Sequence, residues 1–269
     1  MLQGVVAPQS ISEVGRALAS GAGAKVLAGG TMVMPVINSG IHDISTLVSL
    51  RRLGLSGISR DGNLITIGAT TPISHLQRSA ELAFLHSAID SIASPTVRNM
   101  ATVGGNLFVE QPYGDLAVCL IALGASAAIV GPTGHRAAPV EEVASVGVGF
   151  GEIVTAVVFQ LPAAGSFRYR KASRRALNSA SIVTVAARIE MAGGTVSGCR
   201  IALGGVAPRP VRAKSVEAAL QGRPFDRASV DAAAAAASAD IEPFTDAYAS
   251  AWYRARVTPV HIRRALLGE

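Results

Sequence analysis

Two pairs of adjacent glycines, each leaving an apolar stretch, constrain this chain more than any other feature: Ala28-Gly29-Gly30-Thr31, and Thr102-Val103-Gly104-Gly105-Asn106. Adjacent glycines permit positive φ and carry no Cβ, so backbone N–H groups can approach an anion closely. Thr31, Thr102 and Asn106 add hydroxyl and amide donors suited to phosphate or ribityl oxygens. A pyrophosphate is the natural guest for such turns. Either pair by itself reads more readily as a plain tight turn, and it is the two together, each ending in a small polar residue, that favour an anion site.

Composition decides which partners the chain lacks. Of 269 residues, 49% are hydrophobic and only 16% charged, enough for one large core or two modest ones. The 24 Lys and Arg against 18 Asp and Glu give a net charge of +6, but the basic residues are scattered and aromatics are only 4%. A nucleic-acid partner is therefore not expected. Cys119 and Cys199 stand far apart with no neighbour at metal-ligand spacing, so neither an iron–sulfur cluster nor a zinc site is expected in this chain. His42, His75, His86, His135 and His261 make no ligand pair. Phosphate-loop, HExxH, GxSxG and post-strand GxGxxG patterns are absent, and no residue is nominated as a catalytic acid, base or nucleophile. With no basic region and apolar stretch at the N-terminus, a cytoplasmic location is the expectation. Residues 116–134 carry no charge, but Gly124, Ser126, Gly131 and Pro132 interrupt them. They read as a buried helix over 116–123 and a strand over 127–130, not a membrane span.

The pattern elsewhere predicts an α+β protein. A helix capped by Ser10 or Ser12 ends at Gly21-Ala22-Gly23, and strands follow at 25–28 and 46–50. The polar break Ser59-Arg60-Asp61-Gly62-Asn63, with its Asp-Gly-Asn turn, before the alternating residues 64–68 signals a hairpin with the preceding apolar run over 46–50. Helices are expected over 73–78 and 82–93, a loop over 94–106, a helix from about Asp115, and strands over 127–130 and 153–161. Pro162-Ala163-Ala164-Gly165-Ser166 reads as a domain boundary. Beyond it, strands over 181–191 and 196–203 flank the turn Gly193-Gly194-Thr195, and helices are expected over 215–221, 229–239 and 259–267.

Three segments together carry a family resemblance. They are Val26-Leu27-Ala28-Gly29-Gly30-Thr31; Arg98-Asn99-Met100-Ala101-Thr102-Val103-Gly104-Gly105-Asn106-Leu107 with Pro112-Tyr113-Gly114-Asp115-Leu116; and Tyr169-Arg170-Lys171-Ala172-Ser173-Arg174-Arg175 leading to Ala202-Leu203-Gly204-Gly205-Val206. In this order the chain resembles the FAD-binding medium subunits of the molybdenum hydroxylase, or xanthine dehydrogenase, family, of the aerobic carbon monoxide dehydrogenase type. The resemblance implies a two-part FAD-binding domain of the vanillyl-alcohol oxidase type over residues 1–165, divided near residue 60. An α+β C-terminal domain of the carbon monoxide dehydrogenase flavoprotein kind would span 166–269.

On the family pattern, Ala28, Gly29, Gly30, Thr31 and Met32 together with Thr102, Val103, Gly104, Gly105 and Asn106 would hold the pyrophosphate and adjacent groups of FAD. Asp115 would bond the flavin's sugar-like chain, with an N-cap for the helix at Leu116 as the alternative. Lys171 would lie near the isoalloxazine, with an interdomain ion pair as the alternative, and the ion pair is the preferred reading for Arg174 and Arg175. Tyr169 would stack on a ring or belong to the core. The family also implies a molybdopterin-binding large subunit and a [2Fe–2S] small subunit as partners, in a heterotrimer dimerised to a heterohexamer. The chain would take electrons from the iron–sulfur subunit and pass them to an external acceptor. The rival readings are a stand-alone FAD-dependent oxidoreductase and a non-catalytic assembly module of the same fold. Thr31 and Met32 depart from the histidine and serine usual in the carbon monoxide dehydrogenase type.

Overall fold

Three sheets organise the chain, seen in a computed structural model that describes residues 2–21 and 23–269. The first is built from β1 (Gly4–Val6), α1 (Ile11–Ala19), β2 (Ala24–Leu27), α2 (Val33–Asn38) and β3 (Thr46–Ser49), with strand order β1-β3-β2. All its pairings are parallel, with Val6 and Val26 both opposite Val48. Parallel neighbours need crossovers, and α1 and α2 supply them. Regular βαβ units thus occur here, within a protein that is α+β as a whole. Ser10 caps α1 by accepting from the Glu13 N–H at 3.3 Å, and Val14 and Leu18, four residues apart, pack beside Val48 and Leu50. Ala22, in the break expected after this helix, lies outside the described residues.

The second sheet contains β4 (Ile58–Asp61) and β5 (Leu64–Gly68), then β6 (Ser126–Gly131), β7 (Gly134–Pro139) and β8 (Ile153–Gln160), ordered β4-β5-β8-β6-β7 and antiparallel throughout. The hairpin at Gly62 pairs β5 with Ile58–Asp61 and not with the earlier run around Leu47, because the polar residues read as a break are themselves the partner strand. Between β5 and β6 run α3 (Ile73–Leu76), a 3-10 turn at Ala80–Leu85, α4 (His86–Asp90), α5 (Pro95–Met100), α6 (Val103–Asn106) and α7 (Asp115–Ala122). The stretch 94–106, expected to be loop, therefore holds two short helices. Their caps explain it: Ser94 accepts from the Val97 N–H, Thr102 accepts from the Gly105 N–H, and Pro95 opens the first. Every residue of α7 is buried, which accounts for the uncharged stretch as the central core helix. Among the described residues no helix is long and apolar enough to cross a membrane. After β7, α8 (Val140–Val146) leads into β8, which returns to the centre of the sheet between β5 and β6.

The third sheet, ordered β12-β11-β10-β9, comprises β9 (Phe167–Ser173), β10 (Ser181–Ala192), β11 (Thr195–Gly204) and β12 (Val211–Arg212). Residues 181–187 carry no charge and are all buried because β10 is covered on both faces. Ala186 and Ala202 join the core around α7, while Val183, Val185, Ala187 and Ile189 meet α9 (Lys214–Leu220), α10 (Arg227–Ala235) and α11 (Ala251–Leu267). The last helix begins at Ala251, well before Pro259, which sits inside it. Ser250 caps that earlier start through the Tyr253 N–H, and the fully buried Arg254 holds it. Arg254 Nη1 donates to the carbonyls of Ser181, Ile182 and Gly205 at 3.0, 2.7 and 2.6 Å, and Nη2 pairs with Asp246 at 2.7 Å.

Candidate functional site

The three sheets meet around a cavity of about 980 Å³, at the upper end of the ~300–1,000 Å³ typical of small-molecule sites. Its wall combines the turn after β2, the α5–α6 junction, the start of α7, and Lys171 of β9. Both glycine pairs line it, but they do different work.

The first pair is the cradle. Gly30 has φ +76°, and the N–H groups of Gly29, Gly30, Thr31 and Met32 donate to no backbone carbonyl among the described residues. Four consecutive free donors on a left-handed turn form an anion-binding concavity. Gly29 needs its hydrogen for space instead of conformation. A Cβ there would overlap the Met100 carbonyl oxygen and lie 2.8 Å from its carbon and 3.0 Å from the Ala101 Cα. The backbone of the first turn thus rests directly on the residues that precede Thr102.

The second pair is largely committed to structure. Val103 N–H donates to Thr71 O at 3.0 Å, Gly104 N–H to Ala69 O at 2.8 Å, and Gly105 N–H to Thr102 Oγ1 at 3.1 Å. A Cβ on Gly104 would stand 2.8 Å from that of Ala69, so this glycine exists for close packing. Val103 is fully buried and is not part of the cavity wall. Asn106 lines the wall, yet its Oδ1 accepts from the Ala117 N–H at 3.1 Å and so caps α7 from outside. Gly114, with φ +85°, occupies the capping position itself.

Asp115 consequently does not cap the helix at Leu116. Its carboxylate, only 5% exposed, accepts from Lys171 Nζ at 2.7 Å through Oδ2, and from Ser181 Oγ at 2.9 Å and Thr184 Oγ1 at 2.5 Å through Oδ1. A carboxylate offers about four acceptor sites, so one on Oδ2 stays open. Lys171 also donates to the Ser91 carbonyl at 3.0 Å. Asp115 and Lys171 both line the cavity, so the interdomain ion pair and the position in the wall coexist at this lysine. Arg174 and Arg175 have no carboxylate partner among the described residues. They donate instead to the carbonyls of Ala247 and Asn178, within the C-terminal part of the chain. Tyr169 belongs to the core side: its hydroxyl meets Ser91 Oγ at 2.7 Å, burial pushes its phenol well up, and it is absent from the wall.

Sequence reasoning missed several wall and support residues. Ser181 and Thr184 show in sequence only as hydroxyls inside an apolar strand; Tyr113 stands in a family segment without a role of its own, and Tyr248, whose hydroxyl meets that of Tyr113 at 2.9 Å, carries no signal. Glu152 lines the wall near the glycine-rich residues 147–151; its carboxyl is held down at about 2, first by the Arg136 guanidinium and then by the Gly149 N–H. Cys119 is buried in the core and Cys199 lies half-buried on the third sheet. Among the described residues no group of three or more His, Cys, Asp or Glu could hold a metal ion.

Residues 2–162 match the FAD-binding domain in molybdopterin dehydrogenase, and residues 167–268 match the CO dehydrogenase flavoprotein C-terminal domain. The chain belongs to this flavoprotein family. It is 32% identical to the carbon monoxide dehydrogenase medium chain of Hydrogenophaga pseudoflava, with 97% of this chain and 94% of that one covered. A solved carbon monoxide dehydrogenase from the same organism, lacking the Mo-pyranopterin moiety of its cofactor, superimposes with a TM-score of 0.93 over 99% of this chain and 96% of that one. Quinoline 2-oxidoreductase from Pseudomonas putida 86 gives 0.89 at 26% identity, over 100% and 96%. The chain is thus a medium FAD subunit of the molybdenum hydroxylase family, whose relatives are subunits of oxidoreductase complexes. The residues present fit FAD: a roomy cavity, a left-handed turn at Gly30 seated on the Met100 carbonyl with no room for a Cβ at Gly29, and four amide donors without a backbone acceptor among the described residues.

Proposed function

We propose that this chain carries FAD as the electron-transfer subunit of a molybdopterin, [2Fe–2S] and FAD hydroxylase, taking electrons from the iron–sulfur subunit and delivering them to an external acceptor. The observation that carries this reading is the row of free amides at Gly29, Gly30, Thr31 and Met32 facing a cavity whose wall also holds the Asp115–Lys171 pair. FAD supplies the redox chemistry when bound, and the protein supplies position and charge. The first turn would take the pyrophosphate, with Ala28 at its edge, and Thr102 and Asn106 would flank it. The open acceptor site on Asp115 would take a ribityl hydroxyl, and Lys171 would bring positive charge toward the ring. No side chain is assigned as a catalytic acid or base.

The same reading divides the chain into an FAD-binding domain over residues 1–165, in parts of about 1–60 and 61–165, and a C-terminal domain over 166–269. The molybdopterin large subunit and the [2Fe–2S] small subunit would be its partners, in a heterotrimer dimerised to a heterohexamer in the cytoplasm. Relatives named for carbon monoxide and for quinoline share this one fold at 26–32% identity, which supports placing substrate choice in another chain. Isolation of the tagged chain from its own cells tests the assignment. Two further chains, molybdenum and iron are expected to come with it in fixed ratio. A lone flavoprotein that turns over without them would overturn it.

A further inference from the structure

A closed ring of hydrogen bonds touches the cavity wall at Tyr113 and Tyr248 and crosses between the two domains. Tyr113, in the residues matched by the FAD-binding domain, meets Tyr248, in those matched by the C-terminal domain: the hydroxyls are 2.9 Å apart and the rings are edge-on with centroids 6.4 Å apart. Behind Tyr248, Asp246 Oδ1 accepts from the Tyr248 N–H at 2.8 Å, while its Oδ2 pairs with the buried Arg254 at 2.7 Å. Arg254 donates to the Gly205 carbonyl at 2.6 Å, and Gly205 N–H donates to Gln111 Oε1 at 2.5 Å. Gln111 Nε2 returns to the Tyr113 carbonyl at 2.8 Å and closes the ring. Gly205 is needed for this course: its φ is +76°, and a Cβ would stand 2.8 Å from the Ile182 carbonyl.

Two links are exposed, the Gln111 Nε2 bond to the Tyr113 carbonyl and the phenol pair, and of these only the phenol pair joins the two domains. Tyr113 is 44% exposed while also lining the cavity, which places it where the cavity opens to solvent. Other side-chain bonds between the domains around the cavity, Asp115 with Lys171, Ser181 and Thr184 and Lys171 with the Ser91 carbonyl, lie further inside. The outermost tie is therefore also the one that water can open.

We propose that Tyr113 and Tyr248 are a latch over the mouth of the cavity, held in register by Arg254 and Gln111, whose opening sets the rate at which the bound dinucleotide is exchanged. The proposal rests on the reading of the cavity as the FAD site. Its chemistry is a neutral hydrogen bond that stays intact across the ordinary pH range, since the bond to Tyr248 and burial hold the Tyr113 phenol up at about 12.

Release of FAD is measured on the flavin-loaded protein, with whatever chains accompany it, by recovery of flavin fluorescence on dilution into a trap. Tyr113→Phe and Tyr248→Phe keep both rings. Each is expected to speed release roughly three- to tenfold, the worth of one hydrogen bond. The double variant is expected to go no faster than either single one, because the same bond is lost. Melting of the flavin-free protein should fall by no more than about 5 °C, and Tyr248→Phe should return the Tyr113 phenol from about 12 toward 10 in a tyrosinate titration. Release within twofold of the parent in both single variants, with FAD still bound stoichiometrically, would overturn the latch alone; additive effects in the double variant would do the same. A parent protein that holds no FAD would overturn the latch together with the flavin reading beneath it.

Discussion

Gly29→Ala is expected to lower FAD affinity by roughly a hundredfold or more, and Gly30→Ala by only about tenfold. The order is the reverse of what backbone conformation alone suggests, since Gly30 is the one with φ +76°. A left-handed alanine costs roughly 1–2 kcal/mol, and a Cβ on Gly30 would make only ordinary contact, 3.4 Å from Leu27 Cδ1 and from Met34 Cγ. At Gly29 the new methyl would meet backbone, overlapping the Met100 carbonyl and crowding the Ala101 Cα. Backbone cannot rotate away as a side chain can, so the turn must lift off the α5–α6 junction. Overpacking of this kind costs ~1–3 kcal/mol or more, and the displacement falls on the four amides that face the cavity. Isothermal titration with FAD checks it. Wild-type affinity in Gly29→Ala would contradict the packing of one turn upon the other.

Asp115→Asn is expected to destabilise the protein by ~3–5 kcal/mol, the range for breaking a buried ion pair on one side. Asparagine can still accept from Ser181 and Thr184 but leaves the Lys171 ammonium, whose side chain is 8% exposed, without its counter-charge. Adding Lys171→Met to Asp115→Asn is expected to recover much of that loss, because the unpaired cation is gone and its stem volume is kept. Flavin affinity should stay low in the double variant, since neither the open Oδ2 site nor the ammonium then lines the cavity. Denaturant unfolding alongside FAD titration separates the two effects. If the two substitutions destabilise additively, the pair is not coupled, and Asp115 is not the counter-charge that holds Lys171 in the wall.

What could be read from the sequence divides along physical lines. Short-range chemistry was legible: the Ser10 cap, the Gly193-Gly194 turn between β10 and β11, and the buried helix at Leu116 all follow from neighbours in the chain. The family resemblance also stood, because it rested on several segments in order. Long-range pairing was not legible. The hairpin partner of β5 was misassigned because the strand Ile58–Asp61 is polar and exposed, and the parallel first sheet arises from strands of three and four residues, too short to show a period. At the site, the two glycine pairs looked alike in sequence and differ in structure. Whether an amide is free depends on Ala69 and Thr71, some thirty residues before Gly104, and no local pattern reports that. Asp115 was legible as important but not as an ion-pair partner, since Lys171 comes from another domain. Pro259 misled the helix boundary because Ser250 and Arg254 outweigh the one hydrogen bond that a proline removes.

The central claim is that the glycine turn at Gly29 and Gly30 binds a pyrophosphate within the interdomain cavity. Parallel titration of the protein with FAD and with FMN tests it most directly, because the two flavins share the isoalloxazine and ribityl chain and differ in the pyrophosphate and adenosine. Binding of FAD at one per chain, with FMN at least a hundredfold weaker, is the predicted result. Equal affinity for FMN, or binding of neither flavin, would contradict it.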